Sequence, residues 1–199
     1  RIGRAVVARL VSEGVTTVVA DINHADAQGV AAAHGEMAHA IAFDAADEGS
    51  VRALIDATVD KFRGLDILHN NAAFVNLGEM GDDTTALETP LDLWDVTMNV
   101  NVRSYFVACA QALPHMIARG GGSIVNLTSM AGGAPGKGSG AHEGLVHYGV
   151  SKAAINRLTF ARRLGSIERQ LGRRGRLLDV GCALGDFLLV ALAAGWETW

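Results

Sequence analysis

The chain has 199 residues, a formal net charge of −4 and a hydrophobic fraction of 49%. That balance suits a soluble globular chain with one sizeable core, and it excludes a nucleic-acid partner or a polybasic membrane contact. The longest apolar stretch, Phe187 to Trp196, is about ten residues where a membrane span needs about twenty. No signal peptide is read at the start, and Cys109 and Cys182 show no metal spacing, so a reducing cytoplasm is the expected compartment.

Ala5 to Leu10 has an amphipathic helical pattern that stops at Gly14. Thr16-Thr17-Val18-Val19-Ala20 is a β-branched run closed by Asp21. A helix is expected from Ala25 to Ala33, then a short buried strand, Ala40 to Phe43, closed by Asp44. Val51, Leu54, Ile55, Val59 and Phe62 fall at helical spacing, followed by a strand from Leu65 to His69 closed by Asn70-Asn71-Ala72. One long amphipathic helix is expected over Leu91 to Ala118. Gly122 to Leu127 reads as a strand closed by Thr128-Ser129, and a Gly-rich loop leads from it into a helix carrying Tyr148.

Strands alternating with helices imply βαβ units, a parallel sheet and right-handed crossovers. The expected fold is α/β, a three-layer doubly wound parallel sheet of Rossmann-like type. Asp21, Asp44, Asn70, Asn71 and Ser129 all fall at carboxyl ends of predicted strands, the edge where such sheets bind ligands. Asp21 also stands at the offset from Gly3 at which a dinucleotide unit places its ribose-binding acid, although a turn or capping role fits it equally well.

Tyr148-Gly-Val-Ser-Lys152 puts a phenol and an ammonium four residues apart, on one face of a helix. A nearby cation favours the phenolate, which makes the pair a candidate general acid/base. Taken singly, Ser129 is a plausible turn residue, Asn101 a helix-surface amide, and Asn70 and Asn71 turn caps.

Together, in order, these motifs make residues 1–164 resemble the short-chain dehydrogenase/reductase family. Arg1-Ile2-Gly3 resembles the end of its Gly-rich turn, with Arg1 where a Gly is usual. Asp44 resembles the acid beside the adenine, and Asn70-Asn71-Ala72-Ala73 the Asn-Asn-Ala-Gly motif. Asn101, Ser129, Tyr148 and Lys152 match the catalytic positions. The resemblance implies that Tyr148 exchanges a proton with the substrate oxygen and Ser129 fixes that oxygen. Lys152 would hold the nicotinamide ribose, and Asn101 would support a water relay behind it. Gly3, Asp21, Asp44, Asn71, Ala72, Tyr148 and Lys152 are then the cofactor-binding set. Asp21 would repel a 2′-phosphate, so NAD is favoured and NADP is less expected. The implied substrate is a small secondary alcohol or ketone, and the full-length family member is expected to be a homo-oligomer. The loops Gly78 to Glu88 and Gly132 to His147, the latter carrying His142 and His147, would lie over the site and set specificity.

The family's first strand and most of its phosphate-turn glycines would precede Arg1. The expectations are therefore an incomplete fold with an exposed or distorted sheet edge and room for an unfilled gap, since that strand is normally central, together with weak or absent NAD binding and negligible turnover. After Leu164 the pattern changes. A basic helical stretch, Arg162 to Arg176, leads into Asp179-Val-Gly-Cys-Ala-Leu-Gly185. That run resembles the first motif of class I S-adenosylmethionine-dependent methyltransferases, with the chain ending before that motif's next strand. Residues 165–199 are accordingly expected to be a fragment of a second protein, a chimera. A competing reading has Leu177 to Val180 joining the dehydrogenase sheet. The functional alternatives are a methyltransferase fragment and an inactive nucleotide-binding remnant.

Overall fold

The computed structural model describes residues 2–75, 86–133, 146–160, 176–177 and 197–198. The elements follow the expected alternation: α1 (Ile2–Ser12), β1 (Thr17–Asp21), α2 (His24–Ala32), β2 (Ala38–Ala42), α3 (Glu48–Phe62), β3 (Ile67–Asn70), α4 (Leu91–Met98), α5 (Ser104–Ala118), β4 (Ser123–Asn126), α6 (Val146–Phe160), β5 (Arg176–Leu177) and β6 (Glu197–Thr198).

Local chemistry sets the boundaries. The Asn23 side chain accepts from Asp26 N at the start of α2. The Asp47 carboxylate accepts from Gly49 N and Ser50 N, so α3 begins at Glu48, before the apolar period. Arg63 ends α3 in the left-handed region at φ 62°, where its carbonyl accepts from the Arg119 guanidinium at 3.2 Å. The helix expected from Leu91 to Ala118 is interrupted: residues Asn99–Arg103 form a π-helical turn between α4 and α5. Such turns carry one extra residue per turn and often mark functional sites.

All described strand pairs are parallel. Thr17–Asp21 pairs with Ala38–Ala42 in register, and Ile67–Asn70 pairs with Ser123–Asn126. Phe43 N donates to Asp21 O at 3.1 Å and Leu127 N to Asn70 O at 2.9 Å, which extends each ladder to the polar residues at its end. α2 packs on β1 and β2, while α5 packs on β3 and against α3. Val51, Val107 and Ala108 form one core cluster with Phe43 and Leu68; Ile55, Ala112 and Met116 form a second with Leu68 and Ile124.

The α/β fold of parallel strands and packed helices is as expected, and so is its incompleteness: the sheet is interrupted. Among the described residues, β1–β2 and β3–β4 are separate two-stranded sheets. Each of β1 and β3 is paired along one edge, and a cavity of about 1430 Å³ lies between them, lined by the whole of both strands. Asp21, Asn71 and Ser129 therefore do not share one hydrogen-bonded edge. What Asp21 and Asn71 share is this cavity.

Two expectations for the far end are corrected. Among the described residues Arg176–Leu177 pairs with Glu197–Thr198 and not with the dehydrogenase strands, so a partner strand is present where none was expected. The basic stretch, the Asp179-to-Gly185 motif and both proposed specificity loops lie outside the described residues, except at their margins.

Candidate active site

Residues at the strand ends gather in two neighbouring places. The first is the cavity, which Gly3, Asp21, Asp44, Asn71 and Ala72 all line. Gly3 lies inside the first turn of α1, not in a loop before it, and a Cβ there would meet Asn71 Nδ2 at 3.2 Å. The α1 start and the turn after β3 thus approach closely. Asp21 is exposed, and one carboxylate oxygen accepts from Asn23 N at 2.9 Å, leaving the other open. Asp44 Oδ1 accepts from Ala46 N at 2.8 Å, and its own N–H donates to Ser50 Oγ at 2.9 Å, which fixes the turn after β2.

The second place is the corner between β4, the π-helical turn and α6. Ser129 begins a short 3₁₀ turn, Met130–Gly132, and its Oγ accepts from Ala131 N at 3.2 Å. The hydroxyl proton remains for another acceptor. This turn sits directly on α6: a Cβ on Gly132 would lie 2.5 Å from the Lys152 carbonyl carbon, and one on Gly149 would lie 3.1 Å from Ala131 O. A latch adds to the contact. Thr128 Oγ1 donates to Asn156 Oδ1 at 2.7 Å, and Asn156 Nδ2 donates to Gly132 O at 3.3 Å.

Asn101, fully buried on the π-helical turn, ties the loop after β3 to α6. Its Oδ1 accepts from Phe74 N at 2.7 Å; its Nδ2 donates to Phe74 O at 3.1 Å and to Ser151 Oγ at 3.0 Å. Ser151 Oγ in turn donates to Tyr148 O at 2.7 Å. Lys152 is 1% exposed, and its Nζ donates to Leu127 O at 2.9 Å and lies 5.6 Å from the Tyr148 ring centroid. Burial lowers the Lys152 pKa to about 8. Burial likewise lowers the pKa of His147, next to Tyr148.

The structure thus joins Asn101, Tyr148 and Lys152 by hydrogen bonds and short contacts, with the Ser129 turn packed on the same helix. A family model described as short chain dehydrogenase matches residues 1–170. The chain belongs to the short-chain dehydrogenase family.

Named relatives agree. A probable short-chain type dehydrogenase/reductase of Bradyrhizobium diazoefficiens is 36% identical over 156 residues, covering 77% of this chain and 51% of that one. The 2-(R)-hydroxypropyl-CoM dehydrogenase of Xanthobacter autotrophicus is 34% identical over 161 residues, covering 79% and 61%. Among solved structures, a 3-ketoacyl-(acyl-carrier-protein) reductase from Brucella melitensis, complexed with NADH, superposes with a TM-score of 0.71. It is 27% identical and the match covers 89% of this chain and 68% of that one. The chain spans roughly half to two thirds of the curated relatives it matches. The short-chain dehydrogenase match runs six residues beyond the expected boundary at Leu164.

Sequence reasoning missed four residues that organise the site: Tyr105, Ser151, Thr128 and Asn156. Ser151 and Thr128 lay inside motifs that were read for their neighbours. Asn156 follows Lys152 by four residues, one helical turn on, which is a readable signal. Tyr105 was hidden in a helix expected to be regular. Its signal was rarity, since the chain has 2 tyrosines and the other is Tyr148.

Proposed function

We propose that this chain carries the site of an oxidoreductase that moves a hydride between NAD and a secondary alcohol or ketone. The observation that carries the reading is the buried Asn101–Ser151–Tyr148–Lys152 arrangement beside a cavity lined by Asp21, Asp44 and Asn71. Tyr148 exchanges the proton with the substrate oxygen. Ser129 donates to that oxygen from a turn held on α6 and so fixes its position. Lys152 presents its ammonium to the nicotinamide ribose. Asn101 keeps the loop after β3 and helix α6 in one arrangement.

The residues present fit a dinucleotide. Asp21 keeps a free carboxylate oxygen for the adenosine ribose hydroxyls, and its charge opposes a 2′-phosphate, favouring NAD over NADP. Asp44 bounds the adenine end. Gly3 leaves room where a side chain would press on Asn71. When bound, the nicotinamide supplies or accepts the hydride. The relatives' names, which include a hydroxypropyl-CoM dehydrogenase and a cyclohexadiene-diol dehydrogenase, support an alcohol-bearing carbon as the reacting group. The reading includes a cytoplasmic location and a homo-oligomer. Phe106, Leu113 and Ile117, exposed apolar residues of α5, are suited to a second copy.

A titration tests the cofactor assignment. Asp21→Ala should weaken NAD binding by roughly 10–100-fold, the worth of a charge-assisted hydrogen bond, and should narrow the preference over NADP. Equal NAD affinity in the variant would remove Asp21 from the site. Binding of S-adenosylmethionine in place of NAD would favour a methyltransferase.

A further inference from the structure

Tyr105 stands where the cavity meets the reacting corner. It is the second residue of α5, 1% exposed, and it lines the same cavity as Asp21 and Asn71. Its ring centroid lies 5.6 Å from Lys152 Nζ, the same distance as that of Tyr148. Its hydroxyl reaches Leu127 O at 3.5 Å, the oxygen that already accepts from Lys152 Nζ at 2.9 Å. The ammonium is therefore bounded by two phenol rings and one carbonyl. Among the described residues Lys152 makes no ion pair. A buried ammonium without a counter-ion needs other compensation, and an aromatic face within about 6 Å supplies it through the ring quadrupole.

We propose that Tyr105 is a positioning residue: its ring, with that of Tyr148 and the Leu127 carbonyl, holds the buried Lys152 ammonium in place. The proposal rests on the assignment of Tyr148 and Lys152 as the reacting pair. Tyr105 does not compete for the proton. Burial, and then the neighbouring Tyr148, raise its pKa, so it stays a neutral ring. Among the described residues, the titratable groups in contact with the Lys152 ammonium are Tyr105 from α5 and Tyr148 from α6, and His147 precedes Tyr148 on α6. The lowered pKa of His147 puts its titration below that of Lys152.

The test is a titration of the full chain labelled with carbon-13 in lysine, read at the ε carbons of Lys61, Lys137 and Lys152. Wild-type Lys152 should titrate near about 8. Tyr105→Phe, which keeps the ring, should leave it there. Tyr105→Leu keeps the site apolar but removes the ring, and should lower the midpoint further by roughly half a unit. No change in Tyr105→Leu would overturn the proposal, as would an equal shift in Tyr105→Phe. Should Tyr105→Leu fail to fold, the wild-type chain decides. Nuclear Overhauser contacts between the Tyr105 ring protons and the Lys152 ε protons support the proposal, and their absence sinks it. Neither readout requires turnover, so the outcome is separable from a failure of the hydride-transfer reading.

Discussion

Gly132 offers the sharpest test of how the Ser129 turn is held. A Cβ added there would lie 2.5 Å from the Lys152 carbonyl carbon, 2.6 Å from Ala153 N and 2.9 Å from Lys152 Cβ. Real Cβ atoms essentially never approach closer than 3.0 Å, so Gly132→Ala must open the contact by at least half an ångström. Two of the three opposing atoms are backbone of a helix and cannot swing aside. Overpacking of this kind costs about 1–3 kcal/mol. Because the displaced turn carries Ser129, activity should suffer beyond stability, by up to about 100-fold for a displacement near 1 Å. Gly64→Ala is the control. Its Cβ would meet Arg119 Nη1 at 2.5 Å, Cδ at 2.6 Å and Cζ at 2.7 Å, but all three belong to one exposed, flexible side chain. It should cost under about 1 kcal/mol, since exposed ion pairs contribute little. The assay is urea unfolding of the two variants and wild type, followed by turnover. If Gly132→Ala proves no more destabilising than Gly64→Ala, the close packing of this turn on α6 is wrong.

Asn101→Ala strands both backbone groups of Phe74, and should cost about 2–4 kcal/mol in unfolding free energy. A loss under about 1 kcal/mol would mean that water replaces those bonds. Stability should also vary with pH in a defined way. The folded pKa of Lys152 is about 8 against an ordinary lysine value of 10.5, so the unfolded chain binds more protons between those limits, and stability should rise with pH across that window. Above about 10 the raised pKa of Tyr105 reverses the slope, because the folded chain then holds the extra proton. Below about 6.5 the lowered pKa values of His69 and His147 make stability fall with acid. Denaturant melts from pH 5 to 11 test this, and Lys152→Met should flatten the rise above pH 8.

The parts of the fold that were legible are those where local chemistry decides. Thr17-Val-Val-Ala and Ser123-Ile-Val are β-formers closed by polar residues, and both strands begin within a residue of their expected starts. The approach of Tyr148 and Lys152 was legible through spacing, because residues four apart on a helix share a face. What stayed hidden depends on tertiary packing. Nothing in Asn99-Val-Asn-Val-Arg103 marks a π turn, since any helical sequence reads alike until a buried amide recruits Phe74 and Ser151. Gly3 resembled a turn glycine and proved helical, held close to Asn71.

The central claim is that Tyr148 moves the proton in a hydride transfer. The direct measurement follows reduced nicotinamide with NAD and a panel of secondary alcohols, comparing wild type with Tyr148→Phe at enzyme concentrations that resolve slow turnover. The account predicts a loss of about 10²–10⁴-fold in the variant with NAD affinity nearly unchanged. Equal and measurable rates for the two proteins would contradict it.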